Sequence, residues 1–301
     1  MSLPLSLPER IEILRRFLTE DIGAGDVTTL ATVDADARAG AGFEAKSPLV
    51  LAGIDLALET LRLVDPHLVV LEAKADGARL VPGNMAANVS GNARALLAGE
   101  RVALNLLQRL CGIATVTRQF VDAVAGTGAK ILDTRKTTPG LRAFEKYAVQ
   151  IGGGQNHRFG LNDAILIKDN HVRMAKGVGA AIRAAKRARD ESRRERPNAI
   201  RWLEVEVTSM DELREAVAER PDVIMLDNFT VERAREAVEY VRATESNRGA
   251  ARDEKIILET SGGITLATAR GFAEAGADWI SVGGLTHSVI AADISMEMRV
   301  L

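Results

Sequence analysis

Between Asp133 and His171 the chain reads DTRKTTPGLRAFEKYAVQIGGGQNHRFGLNDAILIKDNH. From Asp133 to Arg158 it carries Arg135, Lys136, Arg142, Lys146 and Arg158 against the acids Asp133 and Glu145. His157 stands beside Arg158, behind Gly152-Gly153-Gly154. The whole chain has a formal net charge of −2, so this concentration of bases needs its own explanation. Arginine grips planar carboxylates in a bidentate fork, whereas lysine acts as a point charge toward phosphates. A solvated basic loop would account for the charge but not for Pro139 and the three glycines, which impose a particular backbone path. The stretch reads as a binding site for a ligand with several negative groups.

Two further groups of residues carry chemistry. Glu204 and Glu206 lie two apart inside LEVEV, so both point to one face of a strand flanked by apolar residues. Carboxylates in such a setting need partners or a ligand. Ser261-Gly262-Gly263 follows IILET and precedes a helical stretch, and Gly283-Gly284 follows WISV one unit later. Backbone N–H groups of glycine turns, together with a helix N-terminus, suit a phosphate dianion.

These residues need elements to hold them. Short β-branched runs recur from residue 131 onward: KILD, AILIKDN, WLEVEV, DVIMLDN, KIILETSGG and WISVGG. Alanine-rich stretches with helical spacing, such as DELREAVAER and VERAREAVEYVRA, separate most of them. Strands alternating with helices predict a parallel sheet, and six such units predict a (βα) barrel more readily than an open one. Polar residues stand at the carboxyl end of nearly every run: Lys168, Glu206, Asp227, Ser261 and Gly283. That is the face where barrels keep their active sites.

The first hundred residues differ. PERIEILRRFLTEDIG has helical spacing, DIGAGDVTT reads as a turn-rich loop, and AGFEAKSPLVLAGI, LVVLEAKADGARL and ANVSGNARAL read as antiparallel strands. A long helical pattern follows through RVALNLLQRLCGIATV. The expected organisation is an α/β protein. An N-terminal α+β sandwich-like domain covers 1–112 and a (βα) barrel with the active site covers 113–286. The segment 287–301 packs back on the first domain. RAAKRARDESRRERP reads as a solvated helix and its exit loop.

Composition excludes other classes. Aromatics make up 4% of the chain, too few for a stacking platform, and the net charge is wrong for a nucleic-acid binder. Cys111 is the single cysteine, which rules out a disulfide framework and reads as a small buried thiol. MSLPLSLPER lacks the early basic residue of a signal peptide, and no apolar run approaches the roughly 20 residues of a membrane span. A cytoplasmic protein without nucleic-acid or membrane partners is expected. Of the remaining histidines, His67 reads as a surface residue and His287 as a loop pin. His171 reads equally as a support for site residues or as a loop anchor.

DTRKTTPGLRAFEKYAV, GGGQNHRFGLNDAILIKDNH, EVEV, IMLDNF, ETSGGI and ISVGGLTHS resemble the quinolinate phosphoribosyltransferase family. The resemblance extends upstream through EDIGAGDVTT and GERVALNLLQRLCGIAT, so it spans nearly the whole chain. Departures are small: Thr260 within ETSGG, and Gly284 where the family would have alanine. The resemblance implies the type II phosphoribosyltransferase architecture. It also implies transfer of phosphoribose from phosphoribosyl pyrophosphate to quinolinate, releasing pyrophosphate and carbon dioxide and giving nicotinate mononucleotide in NAD synthesis. Quinolinate would meet Arg101, Thr134, Arg135, Lys136, His157, Arg158 and Lys168. Glu206 and Asp227 would meet the ribose hydroxyls or Mg2+, which arrives with the diphosphate. Ser261, Gly262, Gly263, Val282, Gly283 and Gly284 would hold the 5-phosphate. Arg101 would reach the site of a neighbouring subunit in a homodimer or larger homo-oligomer.

Other readings share the pattern. A related transferase of a molybdenum-associated branch would take another pyridine or base. A (βα) barrel lyase would use Lys136 or Lys168 as a Schiff-base amine. A non-catalytic phospholigand sensor would leave the paired carboxylates without a purpose.

Overall fold

The leading helix, Leu7–Ile22, starts where its sequence supplies a capping box. Ser6 offers both its N–H and its hydroxyl to the Glu9 carboxylate, at 2.9 and 2.5 Å, and Pro8 follows in the first turn. The computed structural model describes residues 3–196, 199–248 and 255–301. Its chain divides into two compact units. One runs up to Arg118 and adds Thr137–Gly153 and everything from Leu285 onward.

In that unit, DIGAGDVTT turns at Gly23–Asp26 as its glycines suggest, but its last residues are not loop. Val27–Thr32 is a short helix, because Asp26 caps it, accepting the Thr29 N–H at 3.0 Å. Strands β1 (Arg38–Ala45), β2 (Leu49–Val50), β3 (Val69–Ala73), β4 (Arg79–Leu80) and β5 (Met85–Asn92) follow. A four-stranded antiparallel sheet is ordered Ile294–Val300, β1, β5, β3, with Ala39 opposite Val300 and Ala45 opposite Ile294. β1 is buried along almost its whole length, which suits its small residues, RAGAGFEA. The helices Ile54–Val64 and Ala93–Ala123 lay Leu58, Leu61, Leu96 and Leu107 into one cluster with Phe43 and Val89. Each such fully buried side chain contributes about 1.5–3 kcal/mol. A second stripe of the long helix, Val102 and Leu106, packs on Leu14 and Leu18 of the leading helix.

The other unit comprises Gln119–Lys136 and Gly154–Gly284. All six strand-like runs are strands: β6 (Lys130–Leu132), β7 (Ile165–Ile167), β8 (Leu203–Val207), β9 (Val223–Asp227), β10 (Ile257–Ser261) and β11 (Trp279–Ser281). They are parallel and ordered β6-β11-β10-β9-β8-β7, so the first strand of the unit pairs with the last. Gln155 bridges to Leu132 on the free side of β6. The fold is α/β, barrel-like, as the alternation predicts.

Alternation along the strands sorts the inner residues into layers. Ala164, Trp202 and Val223 cluster with Ile257 and Trp279 at the amino ends. Two residues further along stand Glu204, Met225, Glu259 and Ser281, and two beyond those Glu206, Asp227, Ser261 and Gly283. From Arg183 on, the helix Val178–Glu195 is mostly exposed, as the solvated reading expects, with Arg189 buried. Its buried residues Val178, Ala181 and Ile182 precede that segment, while Arg183 and Lys186 bond to Glu219 and Arg189 to Asp222. The exit loop expected at Pro197 lies outside the described residues. Among the described residues, no helix is long and apolar enough to cross a membrane.

Candidate active site

The outermost layer holds the polar residues expected at strand ends. Lys168, just past β7, sets its Nζ 2.5 Å from Glu206 Oε2 on the neighbouring strand. That carboxylate engages the Lys168 ammonium. Asp227 ends β9 beside Glu206, and its Oδ2 accepts from Asn228 Nδ2 at 2.8 Å. Asn228 turns the chain with φ 56°, and its N–H donates to the Ser261 carbonyl at 2.9 Å. Gly262 follows at φ 96°, where an added Cβ would stand 2.2 Å from Asn228 Oδ1. The turn therefore requires glycine on both backbone and steric grounds. The helix Leu266–Glu274 begins just beyond, capped by Thr265. Gly284 is different: the nearest atom to an added Cβ is 4.0 Å away, so alanine would fit. Val282 is buried, and its amide is committed to the Leu132 carbonyl at 2.9 Å.

Arg135, Lys136, His157 and Arg158 of the basic stretch belong to this unit, whereas Arg142 and Lys146 lie on the helix Arg142–Ile151 of the other. Gly152 ends that helix where an added Cβ would meet the Ala114 carbonyl at 2.6 Å, so this glycine answers to the long helix. Thr134 Oγ1 accepts the Lys136 N–H at 3.0 Å, which turns the backbone after β6. Arg158 is 6% exposed, and its guanidinium has one hydrogen bond, NH1 to the Ala164 carbonyl at 3.4 Å. Burial pushes its pKa down, Arg135 pushes the same way, and Glu204 and Asp163 oppose them. A guanidinium so placed has unused donors and a neighbouring cation, the setting an anionic ligand completes.

Beneath the mouth lies a buried cluster that the sequence hides. His157 Nε2 is 3.1 Å from Glu204 Oε2 and 3.4 Å from Glu259 Oε2, all three side chains nearly or wholly buried. Trp202 and Trp279 meet the imidazole edge-on, and Trp202 Nε1 donates to Glu204 at 2.9 Å. Burial works to lower the His157 pKa, but the carboxylates outweigh it and lift it to about 10. The Arg158 N–H, donating to Nδ1 at 2.8 Å, favours the opposite, an imidazole unprotonated there. We assign the singly protonated ring, with Nδ1 accepting and the proton on Nε2, which stands at ion-pair distance from both carboxylates, so that no two N–H groups meet head to head. Burial and then the Glu204 charge raise the Glu259 pKa to about 7.

Glu259 carried no signal of its own in ETSGG, where the glycines draw the eye. The same holds for Arg109, which nothing in its helical stretch singles out. Its guanidinium bonds to the wholly buried Glu145, to Thr138 Oγ1 and to the Thr286 carbonyl, and Glu145 also accepts the Thr138 N–H. These bonds brace the TTPG loop within the first unit. Arg101 is exposed on the helix Ala93–Ala123. His171 Nδ1 accepts the Lys168 N–H at 2.9 Å, His287 meets Ser288 at 2.6 Å, and His67 is exposed. Cys111 is buried beside Ala52, and burial pushes its thiol up to about 12.

Residues 26–111 match the model for the quinolinate phosphoribosyl transferase N-terminal domain, and residues 113–297 that for the C-terminal domain. The chain is 44% identical over 291 residues to a nicotinate-nucleotide pyrophosphorylase [carboxylating] of Mycobacterium leprae, covering 95% of this chain and 96% of that one. It is 43% identical over 287 residues to a probable enzyme of the same name from Bacillus subtilis, covering 95% and 92%. The crystal structure of NadC from Streptococcus pyogenes superposes with a TM-score of 0.86 at 37% identity, covering all of both chains. With both of its domains matched across nearly its whole length, the chain belongs to the quinolinate phosphoribosyltransferase family.

Proposed function

We propose that this protein transfers phosphoribose from phosphoribosyl pyrophosphate to the ring nitrogen of quinolinate, with loss of carbon dioxide. The products are nicotinate mononucleotide and pyrophosphate, in NAD biosynthesis. The observation that carries the reading is Arg158, a buried guanidinium with one long hydrogen bond and a second arginine acting on it. A planar dicarboxylate supplies the acceptors it lacks, with Arg135, Thr134, Lys136 and Lys168 as further contacts. His157 supports Arg158 from below, with both ring nitrogens engaged by protein atoms.

Glu206 and Asp227 lie on adjacent strands, and in this reading their charge favours the transition state in which the ribosyl carbon becomes electron-poor. They are also hard oxygen donors of the type Mg2+ takes, although Glu206 is shared with Lys168. When bound, Mg2+ would offset the charge of the departing pyrophosphate. The Ser261-Gly262-Gly263 turn, with Gly283 and Gly284 on the next strand, suits the 5-phosphate. No covalent nucleophile is needed, since positioning and electrostatics suffice. The working form in this reading is a homodimer or larger homo-oligomer, in which Arg101 of one subunit contributes to quinolinate binding in another.

Incubation with quinolinate, phosphoribosyl pyrophosphate and Mg2+ should release pyrophosphate and carbon dioxide in equal amounts. Nicotinic acid, with one carboxylate fewer, should react with kcat/KM lower by about 100-fold, the loss expected when a charged group is left unpaired. Comparable kcat/KM values for the two acids would remove the dicarboxylate reading. Covalent trapping of a keto substrate by borohydride would restore the lyase.

A further inference from the structure

The chemistry assigned so far leaves the buried acid Glu259 unused. Glu259 lies midway along β10, one layer below Ser261, with no exposed surface. Its register partner on β9 is Met225, so the neighbouring strand fills the same layer with an apolar side chain. A buried carboxylate is a poor way to stabilise a core, and an apolar side chain of similar volume is often as good or better. The acid therefore needs a reason other than stability.

What it faces supplies one. Glu259 Oε2 and Glu204 Oε2 converge on His157 Nε2 at 3.4 and 3.1 Å. The ring's other nitrogen accepts the Arg158 N–H at 2.8 Å, and the His157 N–H donates to Asp133 Oδ1 at 2.9 Å. Fixing this ring thus fixes the peptide that carries Arg158 and ties it to the end of β6, where Thr134 and Arg135 begin. We propose that Glu259 is a positioning residue of the anion site: with Glu204 it clamps His157, and His157 holds the backbone from which Arg158 reaches the substrate carboxylate. This rests on the transferase reading above.

The test uses the full-length protein with Glu259→Met, which copies the neighbouring strand, and Glu259→Gln, which keeps the length and an acceptor oxygen beside His157 Nε2. KM values for quinolinate and for phosphoribosyl pyrophosphate are measured separately, alongside the melting temperature. Glu259→Met should fold with a melting temperature at or above wild type yet raise quinolinate KM at least about 10-fold, since a small displacement of a positioned group is costly. The donor KM should stay within about twofold, and Glu259→Gln should bring quinolinate KM back to within about threefold of wild type. Glu259→Met with unchanged quinolinate KM, with both KM values raised alike, or unable to fold would each overturn the proposal. So would a Glu259→Gln variant no better than Glu259→Met. A wild-type protein inert toward quinolinate would instead retire the transferase reading itself.

Discussion

At the scale of single residues, the mouth of the barrel is a balance of charges with few spare partners. Lys168 and Glu206 neutralise one another, Asp227 is held by Asn228, and Arg158 waits with donors unfilled. Glu206→Gln keeps the shape and deletes the charge. Steady-state kinetics should show kcat reduced at least about 100-fold with quinolinate KM changed little, because the lost interaction matters most in the transition state. Near-normal turnover would show that Glu206 is misplaced. Much of this layer was legible in the sequence, since polar residues closing β-branched runs reveal a strand-end site without any knowledge of pairing. Glu259 was not. Its meaning depends on sharing a layer with His157 and Glu204, and no local spacing records which residues of separate strands meet.

At the scale of elements, the same contrast holds. The six barrel strands follow from β-branched runs bounded by turns, and the leading helix follows from its capping box. Val27–Thr32 escaped because two glycines nearby suggest a loop, whereas the helix depends on a single capping aspartate. The charged part of helix Val178–Glu195 is solvated as its sequence suggests, while the pairing of Arg183 and Lys186 with Glu219 and of Arg189 with Asp222 depends on which elements are neighbours and has no local signal. The two late glycine turns also separate on inspection. Gly262→Ala meets both a left-handed backbone and the Asn228 side chain, and should cost about 1–3 kcal/mol of stability while raising donor KM. Gly284→Ala meets open space and should leave melting temperature and donor KM near wild type. Equal effects of the two substitutions, measured by thermal melts and donor titration, would remove the distinction.

At the scale of the whole molecule, the proposed sharing of sites makes a sharp demand. Arg101 lies on a helix of the first unit and Glu206 on a strand of the second. Arg101→Ala and Glu206→Ala should each abolish turnover. Mixing the two proteins under conditions of subunit exchange should restore part of it, because some hybrid dimers hold one site with both residues intact. Exchange without recovered activity would place Arg101 outside any neighbour's site. A different consequence follows from the strand Ile294–Val300, which completes the first sheet by lying along β1. During synthesis β1 emerges early, while its outer partner leaves the ribosome only after every barrel strand has been made. Until then one edge of β1 offers unpaired N–H and C=O groups to any passing strand. The first domain thus cannot mature ahead of the second, although most of it is encoded first. Its long-range closure belongs to the slow class of folding events, so a chain stalled inside the barrel carries an open edge prone to aggregation.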